Sequence, residues 1–154
     1  MMKKFPEINK SKGFYFDSNR GLFLIQTYKS KSAGDAWTSP GGNIEGYEGF
    51  VKGLIRIVQK EIGFLPEVLD KVPFYTDTFD RKRISYKYQA YWISLPEETT
   101  NGKNEGKTIS GVPFKFFSVK DLLKPKARIT RITHDIINST AFLEEIKYKE
   151  ENSA

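Results

Sequence analysis

The stretch from Trp37 to Phe64 reads WTSPGGNIEGYEGFVKGLIRIVQKEIGF and holds the most distinctive pattern in this chain of 154 residues. A Pro-Gly-Gly turn follows a short apolar-polar segment and leads, through a second turn that contains glutamate, into residues 50–62. Apolar residues recur there at spacings of three and four, which predicts an amphipathic helix. Gly63 follows, and a glycine there can adopt the left-handed backbone conformation that ends a helix. The stretch therefore predicts a turn, a helix of about four turns and a defined helix end.

Glu61 departs from the helical pattern. At about 100° per residue it falls inside the apolar arc, beside Ile57 and Val58. The helix dipole also opposes a carboxylate so close to a helix C-terminus. We therefore expect a specific partner to hold Glu61, although an ordinary bond to nearby backbone or to Lys60 remains an alternative.

The stretch resembles the Nudix box, the signature of hydrolases that cut nucleoside diphosphates linked to another group. The family pattern is G-x5-E-x7-R-E-U-x-E-E-x-G-U, in which U is a bulky apolar residue. Seven positions match, namely Gly42, Glu48, Arg56, Val58, Glu61, Gly63 and Phe64. Two positions differ, because Ile57 and Lys60 stand where the family has glutamates.

The resemblance implies a set of site residues. In the family, glutamates at the positions of residues 57, 60 and 61 hold Mg²⁺ or Mn²⁺ against a diphosphate, and the carbonyl of the glycine matching Gly41 is a further ligand. Glu61 and Gly41 are thus the expected metal ligands. Glu48 and Arg56 are expected to pair and brace the turn, and with Glu61 they form the expected catalytic set. A late loop often supplies one more ligand in the family, for which the candidates here are Glu97, Glu98 and Glu105.

The two departures bear on the metal. Exchanging a carboxylate for an ammonium about 4 Å away changes the electrostatic energy by several kcal/mol at an effective dielectric of about 20. Because about 1.4 kcal/mol is a factor of ten, Mg²⁺ affinity should drop by orders of magnitude unless other ligands contribute. The pattern favours a pseudoenzyme or a strongly modified enzyme, which would use Mg²⁺ or Mn²⁺ if active and no cofactor otherwise.

Other residues are candidates for ligand binding. The Lys60 ammonium could bind phosphate as a point charge, next to the backbone of Gly41 and Gly42. Arg81 and Arg83, in a predicted hairpin tip, read either as a phosphate clamp or as solvated surface. Three aromatic residues read either as core or as a base-stacking surface: Tyr86, Tyr88 and Trp92. His134 is most simply structural.

Composition narrows the class of protein. The length fits one domain over residues 1–154, with a tail expected to fray from about residue 148. No cysteine and a single histidine exclude disulfides, thiolate metal sites and histidine clusters. No apolar run is long enough to span a bilayer, so we expect no membrane partner and a cytoplasmic protein. The net charge of +6 favours anionic partners such as nucleotides or RNA.

The rest of the chain predicts alternating element types. Strands are expected at 13–17, 21–28, 68–79, 84–95 and 112–117, a loop at 97–107, a short helix opening at 118–121 and a last helix at 131–147. In the strand at 84–95 the even-numbered residues share one face. These elements suit an α/β fold, and the resemblance implies the Nudix α/β/α sandwich with a mixed sheet between helices.

Two functions follow as hypotheses. The first is a Nudix-family protein that binds or hydrolyses a nucleoside diphosphate linked to another group, with activity that is weak, altered or lost. The second is a non-catalytic nucleotide or RNA sensor on the same scaffold. The sequence predicts neither the ligand nor the oligomeric state.

Overall fold

The computed structural model describes residues 5–26, 36–124 and 128–152. The strands in these residues are β1 (Glu7–Phe14), β2 (Phe16–Asp17), β3 (Gly21–Gln26), β4 (Trp37–Thr38), β5 (Gly41–Asn43), β6 (Glu67–Val68), β7 (Tyr75–Arg81), β8 (Ile84–Ser94), β9 (Glu105–Lys107) and β10 (Pro113–Phe117). The helices are α1 (Phe50–Ile62), α2 (Val119–Leu122), α3 (Arg131–Ile137) and α4 (Thr140–Glu151), and a 3-10 turn covers Glu97–Thr99.

The strands form two curled sheets. The first has the order β5-β1-β8-β6, with β7 also paired to β8. It is mixed, because β1 runs parallel to β8 while β5, β6 and β7 are antiparallel to their neighbours. The second sheet has the order β2-β3-β10-β9, with β4 on β3, and is antiparallel throughout.

Strand β8 separates two apolar clusters, because its side chains alternate between the two faces of the sheet. Ala90 and Trp92 belong to a cluster that includes side chains of α3 and α4. Tyr91 and Ile93 belong to a second cluster, which α1 covers with Leu54, Val58 and Ile62. Helices thus lie on both sides of the strands, and the predicted α/β fold with a mixed sheet is confirmed.

The first strand begins earlier than predicted. β1 starts at Glu7 and pairs along its length with residues 85–92 of β8. The sequence of residues 7–12 hides this strand, because Lys10 and Lys12 occupy the face on which an apolar alternation would be expected. This difference matters for the site described below.

Two other predicted elements are divided in the structure. The strand predicted at 68–79 is split into β6 and β7, with Pro73 in the intervening segment, where its missing N–H interrupts a ladder. The helix predicted at 131–147 breaks before Ser139, whose hydroxyl accepts a hydrogen bond from the Phe142 N–H and starts α4. α4 continues to Glu151, although fraying was expected from about residue 148. Part of the strand predicted at 21–28 and most of the connection before Trp37 lie outside the described residues.

Within the residues described, none of the helices combines the length and the apolar character that crossing a membrane requires.

Candidate functional site

The Pro-Gly-Gly turn sits against β1. Gly41 has a φ of +134°, and a Cβ atom built there would lie 2.1 Å from the Ser11 carbonyl oxygen, so only glycine fits. The register of β5 and β1 places Gly41 opposite Lys12. The glycine therefore brings the turn directly onto the strand that carries Lys10 and Lys12.

Glu61 has the specific partner that its place in the helix required. Its carboxylate accepts a hydrogen bond of 2.9 Å from the Gly41 N–H, so the end of α1 is tied to the turn. On the other side, the Thr108 hydroxyl donates a hydrogen bond of 3.0 Å to the Glu61 carbonyl oxygen. The late segment that reaches the end of α1 thus presents a hydroxyl there. Gly63, with a φ of 82°, ends the helix as predicted.

Glu48 and Arg56 pair at the start of α1. The guanidinium approaches the carboxylate to 2.6 Å through Nη2 and to 3.1 Å through Nε, and the Glu45 N–H donates to the same carboxylate at 2.9 Å. These hydrogen bonds lower the pKa of Glu48, and the one from Arg56 has the largest effect. The pair connects the second turn to the helix, which is the bracing geometry that the resemblance implies. A catalytic role for the two residues stays a prediction.

Lys12 is the residue of the site that the sequence reading missed. Its side chain is only 7% exposed. The ammonium donates to the Thr38 hydroxyl at 3.3 Å and to the Ser39 carbonyl oxygen at 3.2 Å. Burial lowers the pKa of Lys12 to about 8, while the charge of Glu61 raises it and that of Lys10 lowers it further. A buried ammonium thus lies between β1 and the turn and interacts electrostatically with Glu61.

A buried cluster of hydroxyl groups adjoins this ammonium through Thr38. Thr38 accepts a hydrogen bond of 2.9 Å from the Thr130 hydroxyl and contacts the Thr133 hydroxyl at 3.1 Å. The Ser39 N–H donates to the Thr133 hydroxyl at 3.0 Å. The cluster joins the turn to the first residues of α3, so Lys12 is connected through Thr38 to Thr130.

Thr130 also lines an open cavity of about 880 Å³. The cavity lies on the face of the first sheet that carries Lys10 and Lys12, and residues of β1, β7, β8 and α3 line it. Its lining residues other than Thr130 and Ile132 are three cations, two aromatic residues and three carboxylates: Lys10, Arg81, Arg131, Phe79, Tyr88, Asp77, Asp80 and Asp135. A volume between about 300 and 1,000 Å³ is usual for a small-molecule site.

The aromatic lining is ordered by stacking. The rings of Phe79 and Tyr88 are 5.3 Å apart and nearly parallel, and the Phe79 ring lies at the same distance from Tyr86. The Lys10 ammonium lies 5.9 Å from the centre of the Tyr88 ring. Phe79 remains 39% exposed, so part of the aromatic surface formed by Phe79, Tyr86 and Tyr88 faces solvent. Trp92 differs from these residues, because it is buried in the apolar cluster below α4.

The residues at the turn do not fit Mg²⁺ or Mn²⁺. Both ions require several oxygen ligands, with carboxylates prominent among them. Across residues 5–26, 36–124 and 128–152, no group of three His, Cys, Asp or Glu side chains comes together. The Glu61 carboxylate already accepts a hydrogen bond from the Gly41 N–H and interacts electrostatically with the buried Lys12 ammonium.

The other predicted residues are scattered. Lys60 is exposed and, in the part of the chain that the structure describes, its side chain has neither a hydrogen bond nor an ion pair. Arg81 lines the cavity, whereas Arg83 lies at the exposed hairpin tip with a φ of 62°. His134 is exposed on α3, 3.8 Å from the Asp135 carboxylate.

The late-loop candidates lie elsewhere. Glu97 and Glu98 are exposed in the 3-10 turn, and Glu105 is exposed in β9, where it pairs with Lys115 of β10. The segment that contacts Glu61 is instead the one at Thr108. A role for the three glutamates as metal ligands stays a prediction.

Solved structures of other proteins share this fold. The E. coli ORF135 protein superposes with a TM-score of 0.69 at 13% identity, covering 97% of each chain. A MutT protein from Methanosarcina mazei Go1 gives 0.63 at 15% identity, covering 95% of this chain and 99% of the other. A UDP-X diphosphatase gives 0.61 at 14% identity, covering 94% of this chain and 66% of the other.

No protein of curated function matches the sequence. The family description that does match is the NUDIX domain, over residues 13–135. This range includes the turn, α1, the cavity strands β7 and β8 and most of α3. The chain therefore belongs to the NUDIX domain family.

Proposed function

We propose that this NUDIX-domain chain binds a nucleoside diphosphate linked to another group and hydrolyses it weakly or not at all. The diphosphate lies near the turn at Pro40–Gly42, and the nucleoside or the linked group lies in the cavity of about 880 Å³. The observation that carries this proposal is the continuity between the two places, because Thr130 lines the cavity and donates to Thr38, which also accepts from Lys12.

The cavity chemistry supports a ligand of mixed character. The exposed part of the aromatic surface formed by Phe79, Tyr86 and Tyr88 suits contact with a base or with a sugar face. Lys10, Arg81 and Arg131 suit phosphate oxygens, while the carboxylates suit ribose hydroxyls or amino groups. Because the cations and carboxylates of the lining are equal in number, the cavity is not a uniformly basic groove.

Family membership supports the ligand class. One similar structure is described as a UDP-X diphosphatase, whose named substrate is a nucleoside diphosphate joined to a second group. We transfer only this class of ligand to the present chain, because the two proteins are 14% identical.

Weak or absent hydrolysis follows from the face of α1. Residues 57, 60 and 61 present an isoleucine, a lysine and one glutamate, and that glutamate is bonded to the turn. A phosphoryl transfer that relies on metal ions to neutralise charge lacks its donor set here. The chain's own cations, Lys10 and Lys12 on β1 and Lys60 on α1, provide the countercharge for the bound diphosphate instead.

The test is a titration of the intact protein with ADP-ribose, UDP-glucose, AMP and a single-stranded RNA, each with product analysis. We expect the two diphosphates to bind more tightly than AMP, and Phe79→Ala to weaken the binding of both. Leu143→Ala serves as the control, because it removes an α4 side chain that has the same 39% exposure as Phe79. Tight binding of RNA alone, with affinity that rises with strand length and falls steeply with salt, would favour the RNA sensor instead.

A further inference from the structure

Packing alone does not explain why the charged side chain of Lys12 is buried. Lys12 is 7% exposed, so its ammonium has lost most of its hydration, and among the residues that the structure describes two acceptors replace that water, the Thr38 hydroxyl and the Ser39 carbonyl. The group carries three N–H donors. A well-packed apolar side chain is usually at least as stable as a buried charge at such a position. A contribution to the stability of the fold therefore does not explain the buried charge, whereas a role in the site does.

The strand register links this charge to the turn whose glycine holds Glu61. Lys12 lies opposite Gly41, the Gly41 N–H donates to Glu61, and the charge of Glu61 acts on Lys12. The ammonium thus interacts electrostatically with the one carboxylate that remains of the three expected on α1. A cation at this place attracts Glu61 and repels any second cation that approaches.

We propose that the Lys12 ammonium is a built-in cation that stands in for a divalent metal ion beside Glu61 and keeps such an ion out of the turn. The inference goes beyond the proposed function, since it concerns the countercharge and holds for any ligand of the site. It also implies that the two changed positions on α1 are not the whole reason for a lost metal site. Even with glutamates restored at residues 57 and 60, the Lys12 charge would still act on Glu61.

The test measures Mn²⁺ binding alone, by electron paramagnetic resonance of the free ion, with no nucleotide present. The Ile57→Glu/Lys60→Glu protein is compared with the same protein carrying Lys12→Met. We expect removal of the ammonium to tighten Mn²⁺ binding at least about tenfold, because the repulsion between a unit charge and a dication exceeds about 1.4 kcal/mol even at about 10 Å and an effective dielectric of about 20. Lys52→Met in the same background removes an exposed charge from α1 and should change Mn²⁺ affinity less than about twofold.

A second variant protects the test against loss of folding. Lys12→Gln removes the charge and keeps a donor for the Ser39 carbonyl, so it should tighten Mn²⁺ binding as well. Adding Glu61→Gln to the protein with Lys12→Met, or to the one with Lys12→Gln, should abolish the gain in Mn²⁺ affinity. Equal Mn²⁺ affinity with and without the Lys12 charge would overturn the inference, as would tight Mn²⁺ binding by the unchanged protein. Neither result depends on which nucleotide the cavity accepts, so the proposed ligand class is tested separately.

Discussion

Replacement of Lys12 by methionine should change how the free energy of unfolding depends on pH. Burial lowers the pKa of Lys12 from 10.5 to about 8, with Glu61 opposing the shift and Lys10 adding to it. Between these two values the unfolded chain binds a proton that the folded chain does not. Stability of the unchanged protein therefore rises with pH across this range.

The size of the effect follows from the same shift. One pKa unit corresponds to about 1.4 kcal/mol, so the Lys12 contribution should change by about 3 kcal/mol between pH 7 and pH 10.5. Lys12→Met lacks this contribution. The free energy of unfolding of the unchanged protein minus that of the variant should thus increase by about 3 kcal/mol over the interval.

Urea denaturation at half-unit steps from pH 7 to pH 10.5 measures this difference. Other groups titrate in both proteins, including Lys10, whose pKa is also lowered by burial, and their contributions largely cancel in the difference. Lys12→Gln should behave like Lys12→Met. A difference that is constant with pH, or that decreases as pH rises, would refute the reasoning that Lys12 is buried as a destabilised ammonium.

Three further changes test the site. Phe79→Ala should weaken binding of ADP-ribose by about 1 kcal/mol, measured by calorimetry, because an aromatic contact is lost, whereas Leu143→Ala at the same 39% exposure should not. Glu48→Gln should speed hydrogen exchange of the Glu45 amide, which donates to that carboxylate, and unchanged protection would show that the brace does not order the turn. Lys60→Ala should cost about 1.5–3 kcal/mol of diphosphate affinity if its exposed ammonium binds phosphate, and binding equal to that of the unchanged protein would make Lys60 a bystander.

The structure of the stretch from Trp37 to Phe64 could be predicted because the signals there depend on residues close together in the sequence. The spacing of apolar residues predicted α1, the glycine at 63 predicted its end, and both are present. The odd place of Glu61 on the apolar arc indicated a specific partner, and the Gly41 N–H is that partner. The alternation in β8 likewise predicted which of its residues share a face.

The remaining features depend on contacts between distant segments, which a single sequence does not display. In the sequence Lys12 lies in a lysine-rich stretch without apolar alternation, and its burial is visible only in the structure, where β1 pairs with β5 and β8. Its position two residues before Phe14 was the one available signal, since alternate residues of a strand share a face. The cavity is equally non-local, because it needs β1, β7, β8 and α3 together.

Calorimetry of ADP-ribose binding with and without divalent metal tests whether the site supplies its own cations. One titration uses the unchanged protein in a chelator, and a second uses millimolar Mn²⁺. We expect the same affinity within about twofold in both, an affinity that falls as salt is added, and little released AMP. Binding that appears only with Mn²⁺, accompanied by steady release of AMP, would contradict this expectation.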